Sequence, residues 1–415
     1  KAAGAGGRIE IVRELLLRWD VKGKDDNVRR QKMKWLIEMI NNSRVIQKAA
    51  GGGHAKIVDM LLQVDEHVDS GSSLFISSSM GFTDVVQVLL KNQNVDVNQI
   101  GSVSSATSLC VSCQNGFIDI VKLLLDIDEI DVNLGSNSIV GLTPLYSACQ
   151  QGHTNIVKLL ISKITDIEVQ INRSKEFGSS PLYISSTNGH SAVVKQLLGV
   201  AGVDVNRQTN DGATPLLIAC SKGHAEVVSI LLSATDINVN RPHNSGLTPL
   251  FVASQKGLVG IVSLLLDSED LNINQSSDTG ATPLHVASSN AHADVVELLL
   301  AASGIKVNQV ANEGSTSLIV ASSKGHENIV QLLLAAKDID VNQSHNNGHT
   351  SLCVAIQRSY IKIVKLLLGA QGMDVNRLDE DQRTPLWVAT AQGKLDSVVL
   401  LLQQPNIDVN KKDKE

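Results

Sequence analysis

The chain has 415 residues, 43% hydrophobic but only 3% aromatic, so its core must be built from Leu, Ile, Val and Ala. A net charge of −6 argues against nucleic acid as the main partner, and no apolar run approaches the ~18 residues a membrane span needs. Five cysteines, an odd number, fit half-buried thiols of a reducing compartment better than a disulfide framework.

Lys1-Ala2-Ala3-Gly4, Ile11-Val12 and Leu15-Leu16-Leu17 match Lys48-Ala49-Ala50-Gly51, Ile57-Val58 and Met60-Leu61-Leu62. A partial unit that begins inside a helix is expected there, and with it a chain that is a fragment. Residues 18–43 then interrupt the pattern as an irregular basic insertion; over 18–48, nine Lys or Arg stand against four Asp or Glu. Asn27 to Ile40 reads as an inserted or extended helix. Its Arg29-Arg30-Gln31-Lys32-Met33-Lys34 run is a solvated helix face on the ordinary reading, and a nuclear-import signal or acidic-partner contact on the sharper one.

From Arg44-Val45-Ile46 onward one unit repeats. Its anchor returns at Ser72, Thr107, Thr143, Ser180, Thr214, Thr248, Thr282, Thr316, Thr350 and Thr384. Asparagine recurs at 172, 206, 240, 274, 308, 342, 376 and 410, always 34 residues apart. About eleven units plus the partial first one therefore make a single continuous array over 1–415, because a solenoid grows by stacking. The period breaks between Asn133 and Asn172, with extra residues around Ile139-Val140 and Ser162–Val169.

Residues 278–308 show the physics of one unit. Asp278-Thr279-Gly280 is a turn, since Gly tolerates positive φ. Thr282 offers an oxygen to the free N–H groups of a helix start, and Pro283 sits where a missing N–H costs nothing. Leu284, Val286 and Ala287 are expected to face inward. The helix ends near Asn290-Ala291-His292, where other units carry Gly152, Gly189, Gly223, Gly257 or Gly325 as left-handed caps. Ala291 and Ser359 replace glycine at that site. Val295, Val296, Leu298, Leu299 and Leu300 give a second helix its apolar stripe. Each unit should hold about twenty helical residues in two short helices. An extended connection through Val307-Asn308 leads to the next turn.

A 34-residue period also suits tetratricopeptide repeats, but their Trp-Leu-Gly-Tyr-Ala-Phe-Pro pattern is missing. The pattern T-P-L-x-x-A…G-H…V-V-x-L-L-L…V-N resembles the ankyrin repeat over nearly the whole chain. The resemblance implies an all-α solenoid of helix–turn–helix units with projecting β-hairpin-like fingers. It also implies a concave face of fingers and first helices that binds proteins. Two departures stand out. The unit is one residue longer than usual, and the histidine after T-P-L survives only as His285. Tyr146, Tyr183, Leu217, Phe251, Ile319, Cys353 and Trp387 replace it and are expected to be packing residues.

No catalytic constellation is visible, no cofactor is expected and the chain is not expected to be an enzyme. His54, His153, His190, His224, His292 and His326 recur at repeat spacing, which puts those of neighbouring units ~8–10 Å apart, too far to share a metal; they should bridge adjacent loops. Cys110-Val-Ser-Cys113 lacks the second pair of a zinc site. Asn-Gln-Ser at 274–276 and 342–344 recurs because the connection recurs.

The position before the first-helix cap reads Lys222, Lys256, Asn290, Lys324 and Arg358 in consecutive units, and finger bases add Arg207, Arg241 and Arg377. Helix two and its loop are acidic: Glu226, Asp267, Glu269, Asp270, Asp294, Glu297 and Glu327. These cations are the candidate partner-binding residues, for an acidic protein segment; the competing account is a basic helix end favoured by the helix dipole. Leu-x5-Asp-Val-Asn marks Asn98, Asn133, Asn206, Asn342, Asn376 and Asn410, which the resemblance makes candidates for β-hydroxylation beside their structural role between fingers. The leading expectation is a monomeric, cytoplasmic or nuclear interaction module or scaffold. The alternatives are the regulatory region of a larger enzyme, such as a kinase, and a bare spacer.

Overall fold

The computed structural model describes residues 44–64, 70–101, 105–135, 142–173 and 176–411. The partial first unit, the 18–43 insertion and the extra residues around Ile139-Val140 lie outside them. The chain divides into two compact bodies, residues 1–204 and 205–415.

The first body holds α1 (Val45–Gly51), α2 (Ala55–Val64), α3 (Ser70–Met80), α4 (Thr83–Leu89), α5 (Ser108–Asn115), α6 (Ile118–Leu125), α7 (Pro144–Gln151), α8 (Thr154–Lys163), α9 (Ile167–Gln170), α10 (Pro181–Thr187) and α11 (Ser191–Leu198). Two layers result: α1, α3, α5, α7 and α10 stack in order, and α2, α4, α6, α8 and α11 stack behind them. The extra residues at Ser162–Val169 are absorbed locally. They prolong α8 to ten residues and add the short α9 before the connection resumes.

The second body repeats this without interruption. Its first helices are α12 (Pro215–Lys222), α14 (Pro249–Gln255), α16 (Pro283–Ser289), α18 (Ser317–Lys324), α20 (Ser351–Gln357) and α22 (Pro385–Ala391). Its second helices are α13 (Ala225–Leu232), α15 (Val259–Leu266), α17 (Ala293–Ala301), α19 (Glu327–Leu334), α21 (Ile361–Leu368) and α23 (Leu395–Leu402). Each helix packs on its counterpart in the next unit.

Local chemistry sets the helix ends. Thr214, Thr248, Thr282, Thr316, Thr350 and Thr384 are all N-caps whose hydroxyls accept from the third N–H of their helix, which satisfies a donor the helix itself cannot. Left-handed residues stop the first helices, including Gly223 at φ 83, Gly257 at φ 68, and Ala291 and Ser359 at φ 63 and 61. Leu284, Ala287, Val295, Val296 and Leu299 are buried between the layers, and each large aliphatic side chain contributes about 1.5–3 kcal/mol there.

Four expectations need correction. Ser72 lies inside α3 rather than capping it, since that helix already starts at Ser70. Val286 does not face inward: it is half-buried, on the side turned to the fingers. Trp387 is no packing residue but 42% exposed, since no described unit follows it; Arg383 lies over its ring at 5.2 Å. Units are also less helical than about twenty residues: α16 and α17 have seven and nine, because the cap and loop at 290–292 are not helical.

Candidate binding groove

The connections form fingers without regular strands; among the described residues a lone bridge joins Ser344 and Thr350. Each tip is a tight turn. The Ser277 N–H donates to Ala281 O at 2.9 Å and the Gly280 N–H to Ser277 O at 2.8 Å. Neighbouring tips are tied by backbone and side chain: Asn312 donates its N–H to Thr279 O at 3.0 Å and its amide to Asp278 O at 2.8 Å. The base is tied by the periodic asparagine. Asn274 Nδ2 donates to Gly304 O at 2.7 Å, and its Oδ1 accepts from the Lys306 N–H at 2.9 Å.

Between these fingers and the first helices runs a groove of about 860 Å³ in the second body. Three consecutive units build most of it from α16, α18 and α20, and Phe251 of α14 also lines it. Its floor carries Val286, Val320 and Val354, one from each helix, with Ser289, Ser323 and Gln357 beside them. The helix-end side carries Lys324 and Arg358, and the finger side Asp278, Glu313, His345, Asn347 and His349.

Of the sequence-designated cations, Lys324 and Arg358 line this groove. Lys256 turns back: its Nζ donates to the Ser221 carbonyl. Asn290 does likewise, its amide donating to Gln255 O at 2.9 Å. Both satisfy the carbonyl end of the preceding helix, where cations and donors are favoured. Lys222 is exposed outside the groove. Arg241 donates to Gln208 Oε1 at 2.9 Å, Arg207 is half-buried and Arg377 is exposed; none of the three reaches the groove.

The asparagines marked for hydroxylation are built into the framework. Asn98, Asn206, Asn342 and Asn376 each donate from Nδ2 to a carbonyl of the next finger and accept a backbone N–H there through Oδ1. Asn133 and Asn410 share the local turn, their N–H groups donating to Asp131 and Asp408. Four of the six loop histidines bridge units as expected: His153, His190, His292 and His326 sit 3.0 to 3.2 Å from carbonyls of the preceding unit.

Sequence reasoning overlooked the histidines of the fingers. His345 and His349 flank the Gly348 turn and reach the groove, and His349 Nε2 lies 3.5 Å from Asp379 Oδ2. Asp379 is buried, and it accepts from the Arg383 side chain at 2.9 Å and from two backbone N–H groups. Their finger register, shared with Ala311 and Ser315, was the available signal. His285 differs again. It is buried against Thr282 and Ser315, and desolvation pushes its pKa below the ordinary histidine value.

Cys110 and Cys113 are buried free thiols, and burial pushes the Cys113 pKa up, away from the thiolate that metal or redox chemistry needs. Among the described residues no helix is long and apolar enough to cross a membrane.

The family model describing ankyrin repeats in three copies matches residues 98–173, 182–277, 269–345 and 318–413. A crystal structure of EF0377, an ankyrin repeat protein, is 27% identical, covers 45% of this chain and 96% of its own, and has a TM-score of 0.43. No curated protein sequence gave a significant match.

Proposed function

Since the chain belongs to the ankyrin repeat family, whose repeats generally mediate protein–protein interaction, we propose that it is a non-catalytic binding module. It holds an acidic protein segment in the groove of residues 278–358. The observation that carries this reading is the convergence of three units on one open groove whose helix-end side presents Lys324 and Arg358. Groove floors of mixed apolar and polar character suit recognition, and cations on one side orient an approaching acidic chain.

The test is affinity capture from a cell lysate with the wild-type protein, a K324E/R358E variant and a variant reversed on the opposite face, E226K/E297K. Captured proteins identified by mass spectrometry should be lost with the first variant and kept with the second. Equal recovery by both variants would remove the groove from the reading.

A further inference from the structure

We infer that the groove selects an acidic segment in the polyproline II conformation, with an apolar residue at every third position seated on Val286, Val320 and Val354. The inference rests on the groove being the binding face and adds what binds there.

The floor sets the period. Each unit contributes one half-buried valine, at the same place on its first helix. Packed helices lie ~8–10 Å apart, so the three valines form a ladder with rungs at that interval. A polyproline II chain has three residues per turn and rises about 3.1 Å per residue; one edge therefore returns roughly every 9 Å. A β-strand returns a side chain to the same face after about 6.6–6.8 Å. An α-helix returns one after about 5.4 Å, which places residues between the rungs. The first period keeps step with the ladder most closely, since two helical turns reach about 10.8 Å, and about six residues span Val286 to Val354.

The two sides of the groove supply the remaining edges. Lys324 and Arg358 face one side of the occupant, and Asp278 and Glu313 the other. A three-edged chain meets this with apolar, acidic and donor-bearing residues in rotation. Its backbone makes no internal hydrogen bonds, which leaves its carbonyls to accept from groove donors such as the Gln357 amide.

The experiment is selection of a displayed library of random peptides on the full chain, with counter-selection against the K324E/R358E variant, whose folding is checked by circular dichroism. Enriched peptides should carry apolar residues at every third position with Asp or Glu beside them. A synthesised winner should lose at least about tenfold in affinity, by fluorescence anisotropy, when its apolar residues are respaced to every second or fourth position. Helical or alternating spacing in peptides that still need Lys324 and Arg358 would overturn the conformation and leave groove binding standing. No enrichment after counter-selection, or a synthesised winner that binds the wild type and the variant equally in solution, would overturn both.

Discussion

His285 Nε2 lies 2.9 Å from the carbonyl oxygen of Ser315 in the following unit, and only a protonated Nε2 can donate that bond. The other ring nitrogen accepts from the Thr282 N–H at 3.2 Å and lies 2.8 Å from the Thr282 hydroxyl. The imidazole is therefore a neutral strut that joins a helix cap to the next finger.

Such a strut makes folding sensitive to acid. Burial holds the His285 pKa below its ordinary value of 6.5. As pH falls below that value the unfolded chain takes up a proton that the folded chain refuses, so stability is full near neutrality and declines on acidification. Protonating Nδ1 would also remove the acceptor that the Thr282 N–H now meets. Urea midpoints at pH 7.5 and 5.5 should differ less for His285→Leu than for wild type, since Leu217 already fills this register elsewhere. Equal pH dependence in both proteins would show that His285 titrates normally.

The finger asparagines should be worth more inside the array than at its described end. Asn274 makes a two-point bridge to Gly304 and Lys306, whereas Asn410 has no described finger beyond it. Asn274→Ala leaves a carbonyl and an N–H without their partner and should cost about 1–2 kcal/mol. Asn410→Ala should change stability by less than about 0.5 kcal/mol. Chemical denaturation of both variants measures the contrast.

The left-handed caps separate strain from crowding. A methyl group at Gly223 would meet nothing closer than Leu258 at 3.8 Å, whereas at Gly257 it would meet the His292 ring at 2.5 Å. Gly223→Ala should therefore lose roughly 1 kcal/mol from strain alone, and Gly257→Ala more. Ala291 and Ser359 already bear the strained conformation, so Ala291→Gly and Ser359→Gly should be neutral or stabilising. Thermal unfolding should place Gly257→Ala lowest, Gly223→Ala next and the two glycine replacements at or above wild type; destabilisation by both glycine replacements would refute it.

Much of this was legible in the chain because the repeat makes each unit a test of the next. Thr282 and Pro283 announce a helix start, and the glycine register announces its end, through local chemistry that needs no partner. The asparagine bridge and histidine loops were legible because they recur. Val286 was misread because helical spacing gives an apolar side chain a face but not the neighbour it meets: a half-covered groove floor and a closed core look alike. The cations were misread in part because a lysine at a helix end has two uses. Lys256 caps the preceding helix and Lys324 reaches the groove, and only the folded geometry separates them.

The first helices carry a last, testable oddity. Ser254, Ser288 and Ser322 occupy the register of Cys220 and are fully buried. Their hydroxyls have no hydrogen-bond partner. A hydroxyl withdrawn from water without a partner costs about 1–3 kcal/mol by protein measurements, so the smaller, apolar alanine should fit the same space at lower cost. Ser288→Ala and Ser322→Ala should each gain on the order of 1 kcal/mol, read as a raised urea midpoint with an unchanged slope. Ser185 supplies the control. It is equally buried, but its hydroxyl donates to Pro181 O at 2.8 Å, so Ser185→Ala gives up a made bond and should not stabilise. If all three variants behave alike, the buried serines have found carbonyl partners by rotating within their helices.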